Sequence, residues 1–281
     1  MGLFSRIALA SGLALAALMS DGSRTPAVGQ DAATVADMDE AWPRLPDGRV
    51  VFTIYDVRLA VPPCEVCLRE FEFWSVGVGH VPLRTAIAEP RRLREIIAAS
   101  TRVSLTMTNT WDPRVSREPF LGKFDPHSLP PSTRIDLDVF RREMPLECWR
   151  NIPECELLHT TATQSQAPGP DGFYVLPGPV ALPGPGHRYM TTPRTTLLIA
   201  PLDEVQDAVG LPLHFYCSPL RWCDNSTHIN PFAFALRRNV DLYFQFEEKD
   251  YARSELKAMH ARMVKAAESV LMDDLTPEQK Q

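Results

Sequence analysis

Apolar and polar positions change period several times along the chain, and each change marks an element. From Gly48 to Val61, β-branched and aromatic residues alternate with others, so that Val51, Thr53, Tyr55, Val57, Leu59 and Val61 share one face of a predicted strand. Asp56 inside it is a turn residue and leaves a hairpin open. Phe71 to Val81 is extended again, with Phe71, Phe73, Ser75 and Gly77 alternating against Trp74, Val76 and Val78. Glu89-Pro90 then opens a short helix, because proline at the first helical position gives up an N–H that has no partner there, and Leu93, Ile96 and Ile97 follow at helical spacing. Arg102 to Thr108, Arg134 to Phe140, Thr195 to Ala200 and Pro212 to Cys217 read as strands, with a short helix near Leu202 to Val209.

The last fifty residues have the clearest pattern. Phe232 to Leu236 and Val240 to Phe246 alternate on either side of Arg237-Arg238-Asn239, which predicts an antiparallel hairpin whose turn uses Asn239 at positive φ. Asp250 then caps a helix through Met272, with Ala252, Leu256, Met259, Met263, Ala266 and Val270 on one stripe. Many strands, few helices and no regular β-α alternation predict an α+β fold: a mainly antiparallel sheet, with the C-terminal β-hairpin followed by an amphipathic helix.

Two stretches interrupt this pattern. Asp112 to Ser132 is rich in Pro, Asp and Ser and reads as loop, and residues 166–188 form a Pro/Gly-rich loop. The 26 prolines among 281 residues, against only 14 glycines, come partly from these segments. Residues 1–29 have the three regions of a secretory signal peptide: Arg6, an apolar run from Ile7 to Met19, and a polar exit with small residues before a cut at Gln30 or Ser23. The run is too short to span a bilayer, and no later stretch is long enough either. The expected organisation is therefore a signal peptide at 1–29, an N-terminal arm at 30–47, one domain over 48–275 and a tail at 276–281. The expected compartment is periplasmic or extracellular.

A net charge of −6 argues against nucleic acid as a partner, since phosphate binding needs a concentrated positive face. Export changes how the six cysteines are read. Cys64/Cys67, Cys148/Cys155 and Cys217/Cys223 fall as three close pairs, and local disulfides are the simplest of 15 connectivities. Each would staple a short loop, worth about 2 kcal/mol by chain entropy.

Cys64-Glu65-Val66-Cys67 also resembles the thioredoxin-like redox motif, and Thr192-Pro193 before a strand resembles the proline such a site places beside its disulfide. That resemblance implies a thiol–disulfide oxidoreductase using Cys64 and Cys67. His214, Cys217, Cys223 and His228 are a second alternative, having the ligand types of a tetrahedral zinc site but irregular spacing. Asp136-Leu-Asp138 places two carboxylates on one strand face, a reach suited to acid–base work. Glu143, Glu147, Glu154 and Glu156 make an acidic patch around Cys148 and Cys155, and Asn225-Ser226-Thr227 fits a glycosylation acceptor.

No nucleophile elbow, metalloprotease helix, P-loop or dinucleotide-binding turn occurs. The expectation is an exported, non-catalytic binding protein of inhibitor, immunity or accessory type. It would need no cofactor and would engage another exported protein or a cell-envelope component. The alternatives are the redox enzyme and a hydrolase whose site is dispersed over loops. Intact-mass spectrometry of the exported fraction, with and without reductant and a thiol-blocking reagent, tests the compartment. A processed chain with no free thiol is expected; an uncut chain with six free thiols would overturn export.

Overall fold

The computed structural model of the chain describes residues 40–64, 67–68, 71–108, 134–144, 152–182, 190–218, 222–225 and 233–272. The expected signal peptide, most of the expected arm, the expected loop at 112–132, Cys148, His228 and the expected 276–281 tail lie outside these residues.

The fold is mixed α+β, built on a large antiparallel sheet with a long C-terminal helix and two disulfides. Its first element corrects the single strand expected at 48–61. Strands β1 (Val50–Ile54) and β2 (Val57–Val61) form a hairpin, with Ile54 opposite Val57 and Val50 opposite Val61. Tyr55 takes φ 55°, the positive value that tight hairpin turns favour. Two turn residues shift the phase of the alternation, so the core face is Val50, Phe52, Ile54, Val57, Leu59 and Val61.

A second hairpin follows, β3 (Phe71–Ser75) with β4 (Gly79–Pro82), and the extended stretch expected to reach Val81 is broken at Val76 to Val78. Helix α1 (Leu83–Ala88) precedes α2 (Pro90–Ala99), which carries Leu93 and Ile96 inward as its spacing requires. Strands β5 (Arg102–Thr108) and β6 (Arg134–Phe140) have the bounds the alternation predicts. Helix α3 (Pro153–Ala162) has Pro153 in its first turn and Glu154 and Glu156 at its positive end.

Next come β7 (Tyr174–Pro177), within the Pro/Gly-rich loop, and β8 (Thr196–Ile199). Between them Gly178 packs so tightly that an added Cβ would lie 2.0 Å from the Thr192 carbonyl oxygen. Strands β9 (His214–Cys217) and β10 (Trp222–Asp224) lead to the C-terminal hairpin of β11 (Phe234–Arg237) and β12 (Val240–Glu247). Asn239 does not take positive φ; its side-chain amide donates to Asp56 Oδ1 at 2.8 Å, tying this turn to the β1–β2 turn. Helix α4 is Leu256–Val270. Short 3-10 turns at Glu248–Asp250 and Arg253–Glu255 precede it, so Asp250 is not its cap and Ala252 is exposed.

The main sheet runs β4-β3-β5-β6-β12-β10-β9-β8-β7, with β11 beside β12, and every pair is antiparallel. One face is apolar and buried from β4 across to β8. The β1–β2 hairpin, α1, α2 and α4 share a single core with it, linked by ring contacts Trp42–Phe52 and Phe52–Phe73 at 5.2 and 4.8 Å. On the opposite face α3 covers β7 to β9 through Leu158, Tyr174, Leu197, Ile199 and Tyr216.

Two histidines lie inside this packing. His260 of α4 sits against Phe234 and Phe244, and its Nε2 and that of His214 meet no hydrogen-bond partner among the described residues. Burial pushes both down to about 4, His214 adding to the effect on His260. A depressed folded-state value means that the unfolded chain binds the proton first, so stability is lost as pH falls from 6.5 through about 4. Each histidine then costs about 3 kcal/mol. His260→Phe should match the natural chain within about 1 kcal/mol at pH 7. It should overtake that chain progressively on acidification, as read by urea unfolding; parallel pH slopes for the two proteins would refute this.

Candidate functional site

The middle of the second sheet face is polar, and strand alternation makes it so. In β5, β6 and β12 every second residue enters the core, which leaves Arg102, Ser104 and Thr106, then Arg134, Asp136 and Asp138, then Asp241 and Tyr243 on the other side. The register sets them against one another: Ser104 and Asp241 both lie opposite Asp138, while Thr106 and Tyr243 lie opposite Asp136.

The contacts follow this grid. Thr106 Oγ1 donates to Asp136 Oδ1 at 2.5 Å, and Ser104 Oγ donates to Asp138 Oδ1. Arg134 grips both Asp136 oxygens through Nε at 3.1 and 3.0 Å, with an Nη2 contact of 2.9 Å. Arg102 lies 3.7 Å from Asp138 Oδ2, a looser pairing. Both guanidiniums approach the Trp74 ring, at 5.6 and 6.0 Å from its centre.

Burial dominates the electrostatics. It raises Asp136 above the usual carboxylate range, with Thr106 and Arg134 pulling the other way. Asp138 is raised by burial too, Arg102 and Ser104 opposing and the Asp136 charge adding. Tyr243 is raised by burial and by Asp224 and Asp136. The two carboxylates foreseen on one strand face are therefore on one face, buried, and shifted toward the acid form. Each is also held by a hydroxyl and by an arginine.

The cysteine pairs 64/67 and 217/223 are joined in the structure, with Cα separations of 5.0 and 4.1 Å. Cys155 is buried in the first turn of α3, and its foreseen partner Cys148 lies outside the described residues. At the thioredoxin-like motif, Leu68 N–H bonds to Cys64 O at 2.8 Å, which closes one helical turn, and β3 starts at Phe71. Cys64 is 8% exposed and Cys67 1%, both inside the main core. Thr192-Pro193 lies beside β8, six strands along the sheet from β3, so the proline and the disulfide are not neighbours.

The zinc arrangement is not assembled either. Cys217 and Cys223 face each other across β9 and β10 as a disulfide, and His214, an odd number of residues from Cys217, projects from the other side of β9. His228 lies outside the described residues, and among those residues no group of three or more His, Cys, Asp and Glu is placed to hold a metal ion.

Residues 202–209 form turns around Asp207, where a helix was expected. Its carboxylate accepts from the N–H groups of Val209, Leu211 and Ala235 at 2.9, 2.8 and 3.2 Å, and burial raises it to about 6. The Asp-Ala-Val-Gly string is a turn signal that identifies this role. A cleft of about 660 Å³ opens nearby, lined by Gln164, Gln166, Tyr174, Asp203, Glu204 and Gln206.

Asn225, the foreseen glycosylation acceptor, is 1% exposed. Its amide donates to Leu242 O at 2.7 Å and accepts from Phe244 N–H at 2.8 Å, filling the gap on the flank of β12 between β10 and β11. No protein-family model matches the chain, and neither the curated proteins nor the solved structures contain a match.

Asn225→Ala leaves two buried backbone groups without partners and should cost about 3 kcal/mol in urea unfolding. A loss below about 1 kcal/mol would show that Asn225 does not join the two strands to β12.

Proposed function

We propose that this chain is an exported protein that acts by binding, engaging another exported protein or a component of the cell envelope. The observation that carries this reading is how the reactive groups are used. The Cys64–Cys67 sulfurs are closed inside the core, and Asp136 and Asp138 are each engaged by an arginine and a hydroxyl of the same sheet. A thiol exchanger needs an exposed, activated sulfur, and here both sulfurs belong to buried residues, Cys64 8% and Cys67 1% exposed. The two disulfides suit an oxidising compartment.

A hydrolase is the second reading, favoured by the upward shift of Asp136 and Asp138, since a carboxyl poised to give up a proton is what such chemistry uses. The test compares the processed chain with Cys64→Ala/Cys67→Ala and with Asp138→Asn. Partner retention from an envelope fraction should be unchanged in both variants, apart from a stability loss of about 2 kcal/mol in the cysteine variant. Thiol–disulfide exchange abolished by the cysteine change would establish the redox enzyme instead. Hydrolysis abolished by Asp138→Asn in a folded protein would establish the hydrolase.

A further inference from the structure

We propose that the end of the sheet carrying the β3–β4 turn docks on an anionic lipid surface, with Val76 and Val78 entering the interfacial zone and a collar of arginines meeting the headgroups. The inference names a partner for the binding role above and rests on that reading.

The turn is an apolar tip. Val76 is 67% exposed and Val78 44%, while Gly77 and Gly79 take φ 75° and 146°, so the backbone closes tightly and holds both valines outward. Exposed large apolar residues scattered singly are ordinary; two on one protruding turn make a local apolar surface.

Antiparallel pairing decides what surrounds this tip. β3 ends where β5 begins, β6 ends beside that point, and the β11–β12 turn closes next to it. The same end of the sheet therefore gathers Arg102, Arg141, Arg142, Arg237 and Arg238. From β3 to β12 is three strand spacings, about 15 Å, so one flat surface can meet both turns.

Among the described residues, the acidic groups at this end are Asp56 and Glu143, with Asp138 and the opposed Asp241 buried, and Arg237 donates to the Met272 carbonyl at 3.2 Å. Arg238 pairs with Glu143 at 2.9 Å. Arg141 stacks on the Tyr55 ring and donates to the Ile97 and Ala98 carbonyls, neutral partners that leave its charge in place. Arg142 is exposed. Among the described residues the exposed charge at this end is thus positive, on a chain whose net charge is −6, which favours presenting it to a negative surface. An anionic bilayer fits both features, because interfacial binding adds a shallow apolar insertion to attraction by basic side chains.

Vesicle co-sedimentation of the processed full chain tests this, using phosphatidylcholine vesicles with and without phosphatidylglycerol. Binding is expected only to the phosphatidylglycerol vesicles, weakening in about 0.5 M salt where charges are screened. Val76→Asp/Val78→Asp should lower partitioning at least about tenfold, and Arg142→Ala about fivefold. Both sites are exposed, and unfolding curves matching the natural chain confirm that the variants fold. Absence of binding, equal binding to both vesicle types, or variants that bind like the natural chain would overturn the proposal. Self-association through the tip without vesicle binding, seen by analytical ultracentrifugation, would also overturn it. Partner retention by a chain that ignores vesicles would leave the binding role standing and remove only the lipid surface; vesicle binding by a chain with hydrolytic or exchange activity would do the reverse.

Discussion

The structure depends on the register of β6 between β5 and β12. In that register Ile135, Leu137 and Val139 meet apolar neighbours on both sides, and Asp136 and Asp138 meet Thr106 and Ser104. A slip of one residue would reverse every side chain of β6, driving two carboxylates into the core and three apolar residues onto the charged face. An ionised carboxylate without partners in such a core costs several kcal/mol. The aspartates therefore exclude wrong pairings more than they strengthen the right one. The hairpin and helices on the far side can share one core because the apolar set is displayed without a break.

Much of this was legible in the chain itself. β5, β6 and β12 alternate without a fault because each has one dry face, and α2 and α4 show spacing that only a helix brings to one side. What was hidden depended on partners distant in sequence. The β1–β2 turn is a phase shift of one residue inside an otherwise unbroken β pattern, and Tyr55 is an unusual residue for its φ. α3 carries polar and β-branched residues and lies on a sheet face that is partly polar, so its sequence has no clean stripe. β10 has three residues, too few to show any period. At the polar face, Asp136 and Asp138 were visible as a pair, but the opposed Asp241, the arginines around Trp74 and the hydroxyl caps follow only from pairing. Asn225 was misleading for a specific reason: its tripeptide suggests exposure, while its amide takes the place of a strand in the ladder.

Buried ionisable groups of opposite response sit near one another around β11. His214 and His260 oppose acid, whereas Asp207, raised to about 6, contributes stability that is present below its ordinary value and lost as pH rises through 6. Over the window between roughly 4 and 6 the two responses partly cancel. A single buried histidine or aspartate would tilt the fold steeply with pH, and the mixture flattens that tilt.

Every open strand flank that the described residues present is closed off by the chain or blunted. β4 ends on Pro82 and β7 on Pro177, neither of which has an N–H to offer a further strand. β1 is flanked by Pro43 and Arg44, β2 by Leu271 and Met272, and β11 by Asp207 and Ala208. A strand-rich protein with bare flanks is a template for polymerisation through its backbone, the route by which sheets grow into fibrils. Here a copy arriving edge-on finds the flanks of β1, β2 and β11 already engaged, and meets a proline at the end of β4 and of β7. Backbone pairing between copies is thereby disfavoured at these flanks, which leaves contacts with other molecules to side chains.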